Sequence, residues 1–176
     1  MPGKIRVAIG GQGRSGYKIH ANRVSQDTEQ FELVAVADQL PERREDAEVE
    51  FKARVYDDWR PLLEEGGFDL FVNSLPSPLH VDATIEALNR GFHVICEKPM
   101  ARTVADFDRM VDAARKNDRK LFPFQNNRVQ PFFDKVQEVV ASEYFNLVNY
   151  GSWQDITMRV GKLSSGRPTD YFPCKD

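Results

Sequence analysis

The sequence predicts an α/β fold: a doubly wound parallel sheet with helices on both faces, followed by the start of an incomplete second α+β domain. Three observations predict it. Short apolar runs alternate with segments of helical period from the amino terminus to about residue 125, as strands joined by crossover helices do. The runs are nearly continuous in apolar residues, FELVAVA for example, which suits strands covered on both faces. Beyond residue 125 the alternation stops, although the chain continues to residue 176.

In chain order, residues 4–10 (KIRVAIG) form the first strand, rich in β-branched residues and ending in glycine. A helix over 14–24 follows, then a second strand at 31–38 (FELVAVAD). A charged helix at 41–51 leads to a short strand at 54–56, and a helix at 58–65 is closed by Gly66 and Gly67. Residues 68–75 (FDLFVNSL) make the fourth strand. The next helix is well punctuated: Ser77 is placed to cap it, Pro78 fits its first position, Val81, Ile85 and Leu88 form its apolar stripe, and Gly91 ends it. Residues 93–97 (HVICE) are the fifth strand. Thr103 and Asp106 resemble a capping box for a helix whose apolar face is Phe107, Met110, Val111 and Ala114. A sixth strand at 120–125 completes a first domain of residues 1–125. In the remainder, 126–176, an amphipathic helix at 131–140 and a strand at 144–150 are expected, and the tail GKLSSGRPTDYFPCKD is turn-like.

Composition removes several function classes. A net charge of −3 with no basic run argues against a nucleic-acid surface, which needs clustered cations to displace phosphate counterions. No apolar run approaches the ~20 residues of a membrane helix, and no leader-like apolar stretch precedes the first strand, so a cytoplasmic protein without a membrane partner is expected. Cys96 and Cys174 are too few for a disulfide framework or a zinc site, and no metal is expected.

The first strand runs straight into Gly11-Gln12-Gly13-Arg14-Ser15-Gly16, a G-x-G-x-x-G that opens a helix. In this pattern the first glycine permits the tight turn, the second lets the backbone approach a pyrophosphate, and the third lets helix pack on strand. The free N–H groups at the helix start then face the phosphates. Roughly 20 residues further on, the second strand ends in Asp38, whose carboxylate can accept hydrogen bonds from both hydroxyls of an adenosine ribose. A Rossmann-type dinucleotide site follows, with Gly11, Gly13, Arg14, Ser15, Gly16 and Asp38 as its contacts. Asp38 would repel a 2′-phosphate, so NAD is favoured over NADP. Arg43 and Arg44 keep NADP open, although both also read as a solvated helix face.

A second constellation is Asn73-Ser74-Leu75-Pro76-Ser77-Pro78-Leu79-His80 together with Cys96-Glu97-Lys98-Pro99. Both lie at carboxyl ends of strands and should face one cleft. Leu75, Pro76 and Ser77 are expected against the cofactor, Glu97 and His80 at the substrate cleft, and Lys98 as a fixed positive charge beside a substrate oxygen, with Glu97 orienting it by an ion pair. His80 reads equally as a ligand contact or as a capping residue. His20 and His93 read as structural, and Phe122, Phe124 and Trp153 read as core packing before pocket lining.

These residues together resemble the Gfo/Idh/MocA oxidoreductases, the group of glucose-fructose oxidoreductase and inositol dehydrogenase. The resemblance rests on the GQGRSG loop with His20 behind it, on Asp38, on the Pro76 to His80 segment, and above all on GFHVICEKPMARTVADFDRM, where Glu97-Lys98-Pro99 matches the family's EKP motif; it covers about residues 4–140. It implies bound NAD(H) or NADP(H), both Glu97 and Lys98 close to the cofactor, Lys98 as the catalytic residue near the reacting oxygen, and a sugar, polyol or related carbonyl compound as substrate. It also implies that residues 126–176 begin a carboxy-terminal substrate and oligomerisation domain, with a homo-oligomer expected only if that domain is complete. The family's usual catalytic acid or base lies in a later segment, whereas no histidine follows His93 in this sequence. The expectation is therefore a chain that retains cofactor binding without the full catalytic domain; a non-catalytic nucleotide-binding module is the alternative.

Overall fold

The computed structural model describes residues 3–141, and the chain divides into two compact units, Met1–Gln125 and Asn126–Asp176. In the first, six strands form one parallel sheet in the order β3-β2-β1-β4-β5-β6: β1 (Ile5–Gly10), β2 (Phe31–Ala37), β3 (Arg54–Tyr56), β4 (Leu70–Asn73), β5 (His93–Cys96) and β6 (Leu121–Pro123). The chain lays down β1, steps outward through β2 and β3, then returns past β1 to build the other half of the sheet. That reversal creates a switch point between β1 and β4, the crevice in which open parallel sheets bind ligands.

Alternation along the strands sends side chains to two cores. Val7, Ile9, Leu33, Val36 and Val72 meet Ala21 and Ala47 on one face, beneath the helices α1 (Asn22–Gln26) and α2 (Pro41–Phe51). Ala8, Ala35, Phe71 and Val94 meet Leu62, Leu63, Leu88 and Met110 on the other, beneath α3 (Trp59–Glu65), α4 (His80–Asn89) and α5 (Val104–Lys116). The register of β1 on β2 shifts once, pairing Val7 with Leu33 but Ala8 with Ala35. The extra residue, Val34, bulges the strand and brings Ala37 level with Gly10, so that the ends of β1 and β2 arrive together at the crevice.

Several local expectations are corrected. The first helix is not α-helical throughout: Gly16–Ala21 form a π-helical turn that runs into α1. Ser77 does not cap the helix after β4. It begins a 3-10 turn, Ser77–Leu79, ahead of α4, and no side chain caps that turn. The N–H groups that a Ser77 hydroxyl would satisfy are already bonded to carbonyls, that of Leu79 to Pro76 and that of His80 to Ser77. The fourth strand is shorter than its apolar run: Phe68 lies before the ladder and packs against Phe92, with ring centres 4.1 Å apart and planes inclined by 33°. Phe122 is half exposed on the edge strand β6 rather than packed in a core. Thr103 caps α5 by accepting the Asp106 N–H at 3.1 Å.

In the second unit, a 3-10 turn at Asn126–Val129 precedes α6 (Pro131–Ala141). The strand expected at 144–150 lies outside the described residues, as do Trp153 and Cys174. None of the described helices is long and apolar enough to cross a membrane.

Candidate functional site

The turn after β1 is held by three contacts that leave no room for side chains. Gly11 has φ of +90°, and a Cβ on it would sit 2.4 Å from the Ser74 carbonyl oxygen. A Cβ on Gly16 would lie 1.8 Å from the Gly11 carbonyl oxygen, so the π-helical turn packs directly on the loop. Ser74 Oγ completes the lock by donating across the crevice to the carbonyls of Gly10 and Gly11, at 2.9 and 2.8 Å. Gly13 is different. A Cβ there would meet nothing closer than the Arg43 guanidinium at 3.8 Å, which leaves its backbone open to a ligand.

Asp38 ties the glycine loop to the next strand end. Its Oδ2 accepts the Gln12 N–H at 2.7 Å and its Oδ1 accepts the Leu40 N–H at 3.0 Å. The carboxylate is buried, yet it lines a cavity of about 450 Å³ at the crevice. That cavity is walled by Gly11, Gly13, Arg14 and Ser15, by Asp38 and Arg43, by Trp59 at the start of α3, and by Leu75, Pro76 and Leu79. One side is thus rich in backbone N–H groups and charge and the other is apolar, the division an adenosine diphosphate requires. Of the residues expected against the cofactor, four are absent from these walls: Ser77 is exposed on the turn beyond Pro76, Gly16 packs on the Gly11 carbonyl, and Glu97 and Lys98 lie just beyond β5.

Neither arginine of α2 lies free on a solvated face. Arg43 reaches Asp38 Oδ2 at 3.3 Å, while Arg44 donates to the carbonyls of Asp38 and Gln39 at 2.8 and 2.9 Å. An acidic strand end followed by two arginines within six residues is the signal that could have shown this, since all three converge on one short turn.

A second group gathers at the end of β5. Glu97 is buried at 4% exposure, and its carboxylate divides between two partners: Oε1 accepts from His20 Nε2 at 3.0 Å, and Oε2 lies 3.7 Å from the Lys98 ammonium. The Lys98 side chain is 56% exposed. His80, expected at the substrate cleft, is buried instead. Its Nδ1 faces the Pro99 carbonyl at 2.7 Å and its Nε2 the Leu75 carbonyl at 2.8 Å, so both ring nitrogens are committed to the backbone beneath the cleft. Asn73 extends this polar layer by donating to the His80 carbonyl and the Thr84 hydroxyl, both at 3.0 Å. Cys96 is buried next to Glu97, and burial pushes its thiol up to about 11, which makes it a packing residue rather than a nucleophile.

His20 is the residue that reading the sequence undervalued. Burial lowers its pKa, although the Glu97 carboxylate pulls the other way, and the Phe124 ring packs edge-on against it at 4.4 Å. No local pattern joins His20 to Glu97, because the two are 77 positions apart. Only the strand order, which sets the ends of β1, β4 and β5 side by side, brings them together.

Comparison with known proteins places this geometry. The family model described as Gfo/Idh/MocA, oxidoreductase family, NAD-binding Rossmann fold, matches residues 5–125. A myo-inositol 2-dehydrogenase of Thermotoga maritima is 31% identical over 78% of this chain and 41% of its own length. A D-glucoside 3-dehydrogenase of Escherichia coli is 38% identical over 64% of this chain and 32% of its own. Among solved structures, the WlbA dehydrogenase of Bordetella pertussis, determined with NADH and UDP-GlcNAcA, superposes with a TM-score of 0.72 at 34% identity, covering 78% of this chain and 41% of that one. The chain spans less than half the length of each of these relatives.

The loop geometry predicts opposite outcomes for two glycines. Gly16→Ala must displace backbone and is expected to lose at least about 2 kcal/mol of stability, read by urea unfolding. Gly13→Ala is expected to leave the unfolding midpoint unchanged while weakening NADH binding by about tenfold or more, because the methyl group stands where the pyrophosphate approaches. A Gly16→Ala protein as stable as the parent would contradict this packing.

His20 predicts a pH dependence. Its pKa is lowered in the folded chain, so below the ordinary value of about 6.5 the unfolded chain takes up the proton first. The stability this group contributes is complete above that value and is lost as pH falls through the folded pKa. Urea unfolding at pH 7.5 and 5.5 should show the parent losing more stability on acidification than His20→Gln, which cannot titrate; equal losses would contradict the assignment.

Proposed function

The chain belongs to the Gfo/Idh/MocA oxidoreductase family with its NAD-binding Rossmann fold, and from that premise we propose that it is the cofactor-binding portion of a dehydrogenase acting on a sugar, polyol or related carbonyl compound. The observation that carries the proposal is the pairing of two half-sites along one sheet edge: the open Gly13 backbone beside buried Asp38, and the Glu97–Lys98 pair at the end of β5.

The residues present fit the cofactor. Gly11, Gly13, Arg14 and Ser15 would hold the pyrophosphate through backbone N–H groups, with Gly16 as the packing contact that fixes the turn. Asp38 would accept the adenosine ribose hydroxyls with the lone pairs that Gln12 and Leu40 leave free, Arg43 yielding its 3.3 Å contact. Leu75, Pro76 and Trp59 would close over the base. When bound, NAD supplies the nicotinamide that exchanges a hydride with the substrate carbon.

Lys98 supplies charge at the substrate. As a hydroxyl is oxidised its oxygen gains negative character while losing its proton, and an ammonium held there stabilises that charge more in the transition state than in the ground state. Glu97 keeps the ammonium from drifting, since its own carboxylate is buried and fixed. Residues 126–176 are proposed to open the domain that completes the substrate pocket and carries any self-association.

A second reading, a nucleotide-binding module without turnover, is favoured by one observation: His20 and His80, the imidazoles that contact the residues on either side of Lys98, have their described contacts turned to Glu97 and to backbone carbonyls, leaving neither placed as a base at the cleft. Turnover separates the readings. In a protein whose residues 126–176 continue into the domain that completes the pocket, assayed with a panel of inositols, hexoses and sugar acids, NADH formation is expected to fall by about 100-fold or more in Lys98→Met, with NADH affinity little changed. Absence of turnover in that extended parent would favour the binding module, and unchanged turnover in the variant would show that Lys98 is not catalytic.

A further inference from the structure

Lys98 lies between two neighbours that are each fixed by a buried imidazole from a different helical segment. On one side, His20 in the π-helical turn donates from Nε2 to Glu97 Oε1 at 3.0 Å. On the other, His80 at the start of α4 faces the Pro99 carbonyl at 2.7 Å. Glu97 is the more consequential anchor. It has entered a low-dielectric setting, and a buried carboxylate needs its lone pairs filled to remain there as an anion. The donors that fill them are the His20 ring, the Lys98 ammonium at 3.7 Å and the Lys98 backbone N–H at 3.3 Å. The only one of these that does not belong to Lys98 itself is His20.

We propose that His20 is a positioning residue for Lys98: by holding Glu97 Oε1, it leaves Oε2 as the single oxygen available to Lys98 and so fixes both the ammonium and the backbone of that residue. The inference rests on the reading of Lys98 as the residue at the reacting oxygen for its importance to function, but not for its geometry. Three features support it. The partnership crosses the switch point and joins the cofactor loop's own helix to the end of β5, so the phosphate half-site and the Lys98 half-site share one mechanical link. Phe124, whose backbone N–H donates to the Cys96 carbonyl at 2.9 Å, sets its ring against the imidazole and limits its rotation. The imidazole is itself buried and turns Nε2 to Glu97 Oε1, so the contact is shielded from solvent.

Replacement by a donor and replacement by a ring make opposite demands. His20→Gln retains an N–H donor and loses the aromatic packing on Phe124, whereas His20→Phe retains the packing and loses the donor. Hydrogen exchange of backbone amides, followed by NMR on the full chain without substrate, reads the position of Lys98 directly. In His20→Phe the Lys98 amide should exchange about tenfold faster or more, while the Glu97 and Phe124 amides, bonded to the carbonyls of Asn73 and Cys96, keep their parental protection. In His20→Gln the Lys98 amide should return towards the parental rate. His20→Leu gives the same comparison if the larger ring prevents folding. A Lys98 amide indifferent to loss of the donor, or a Gln variant that exchanges as fast as the Phe variant, would overturn the proposal. Because exchange is read without turnover, a catalytically silent Lys98→Met would remove the functional reading and leave this result to stand or fall separately.

Discussion

The structure depends on how closely the turn after β1 is gripped between the end of β4 and the start of the first helix. With Gly11 at φ of +90° against the Ser74 carbonyl, and Gly16 in contact with the Gly11 carbonyl, no side chain of any size fits at either place. The close approach does more than pack. It lets Ser74 Oγ reach two loop carbonyls, presents the Gln12 N–H to Asp38, and swings the helical segment so that His20 meets Glu97. The three hydrogen-bonded links run to β4, β2 and β5 respectively: the first two start from the turn and the third from the π-helical segment that follows it.

The β2 bulge serves the same end. By absorbing Val34 it aligns Ala37 with Gly10, so Asp38 leaves its strand where it can take the loop's N–H. The π-helical turn has a comparable effect in the helix, where an irregular turn redirects a side chain that regular geometry would send elsewhere. Both irregularities lie beside the crevice, and both act to aim a polar group at the loop or at Glu97.

Much of this was readable in the sequence for reasons of local chemistry. The alternating apolar runs, the three glycines and the acidic end of the second strand are signals within one element or one turn, and the bounds Pro41–Phe51 and Arg54–Tyr56 emerge as read. Contacts between distant segments were not readable. Arg43 and Arg44 read as a solvated face because helical periodicity says nothing of a turn that folds back under the helix. His80 read equally as a ligand contact or a capping residue because its position on α4 was visible while the carbonyls of Leu75 and Pro99 that engage it were not. The Ser77 cap failed for a smaller reason: proline after serine favoured a 3-10 turn whose carbonyls occupy the donors first. The polar layer of His20, Asn73, His80 and Glu97 is built almost wholly from pairs that only the folded sheet brings together.

The central claim is that Asp38, anchored by the loop, receives the adenosine ribose of NAD at this crevice. Fluorescence titration of the chain with NADH and with NADPH tests it most directly, with Asp38→Asn in parallel. The account predicts tighter binding of NADH than of NADPH, by an amount on the order of 1 to 3 kcal/mol for a charge-assisted hydrogen bond, and a preference that shrinks in the variant as the carboxylate's repulsion of a 2′-phosphate is removed. NADPH binding as tightly as NADH in the parent, with no change in Asp38→Asn, would contradict it.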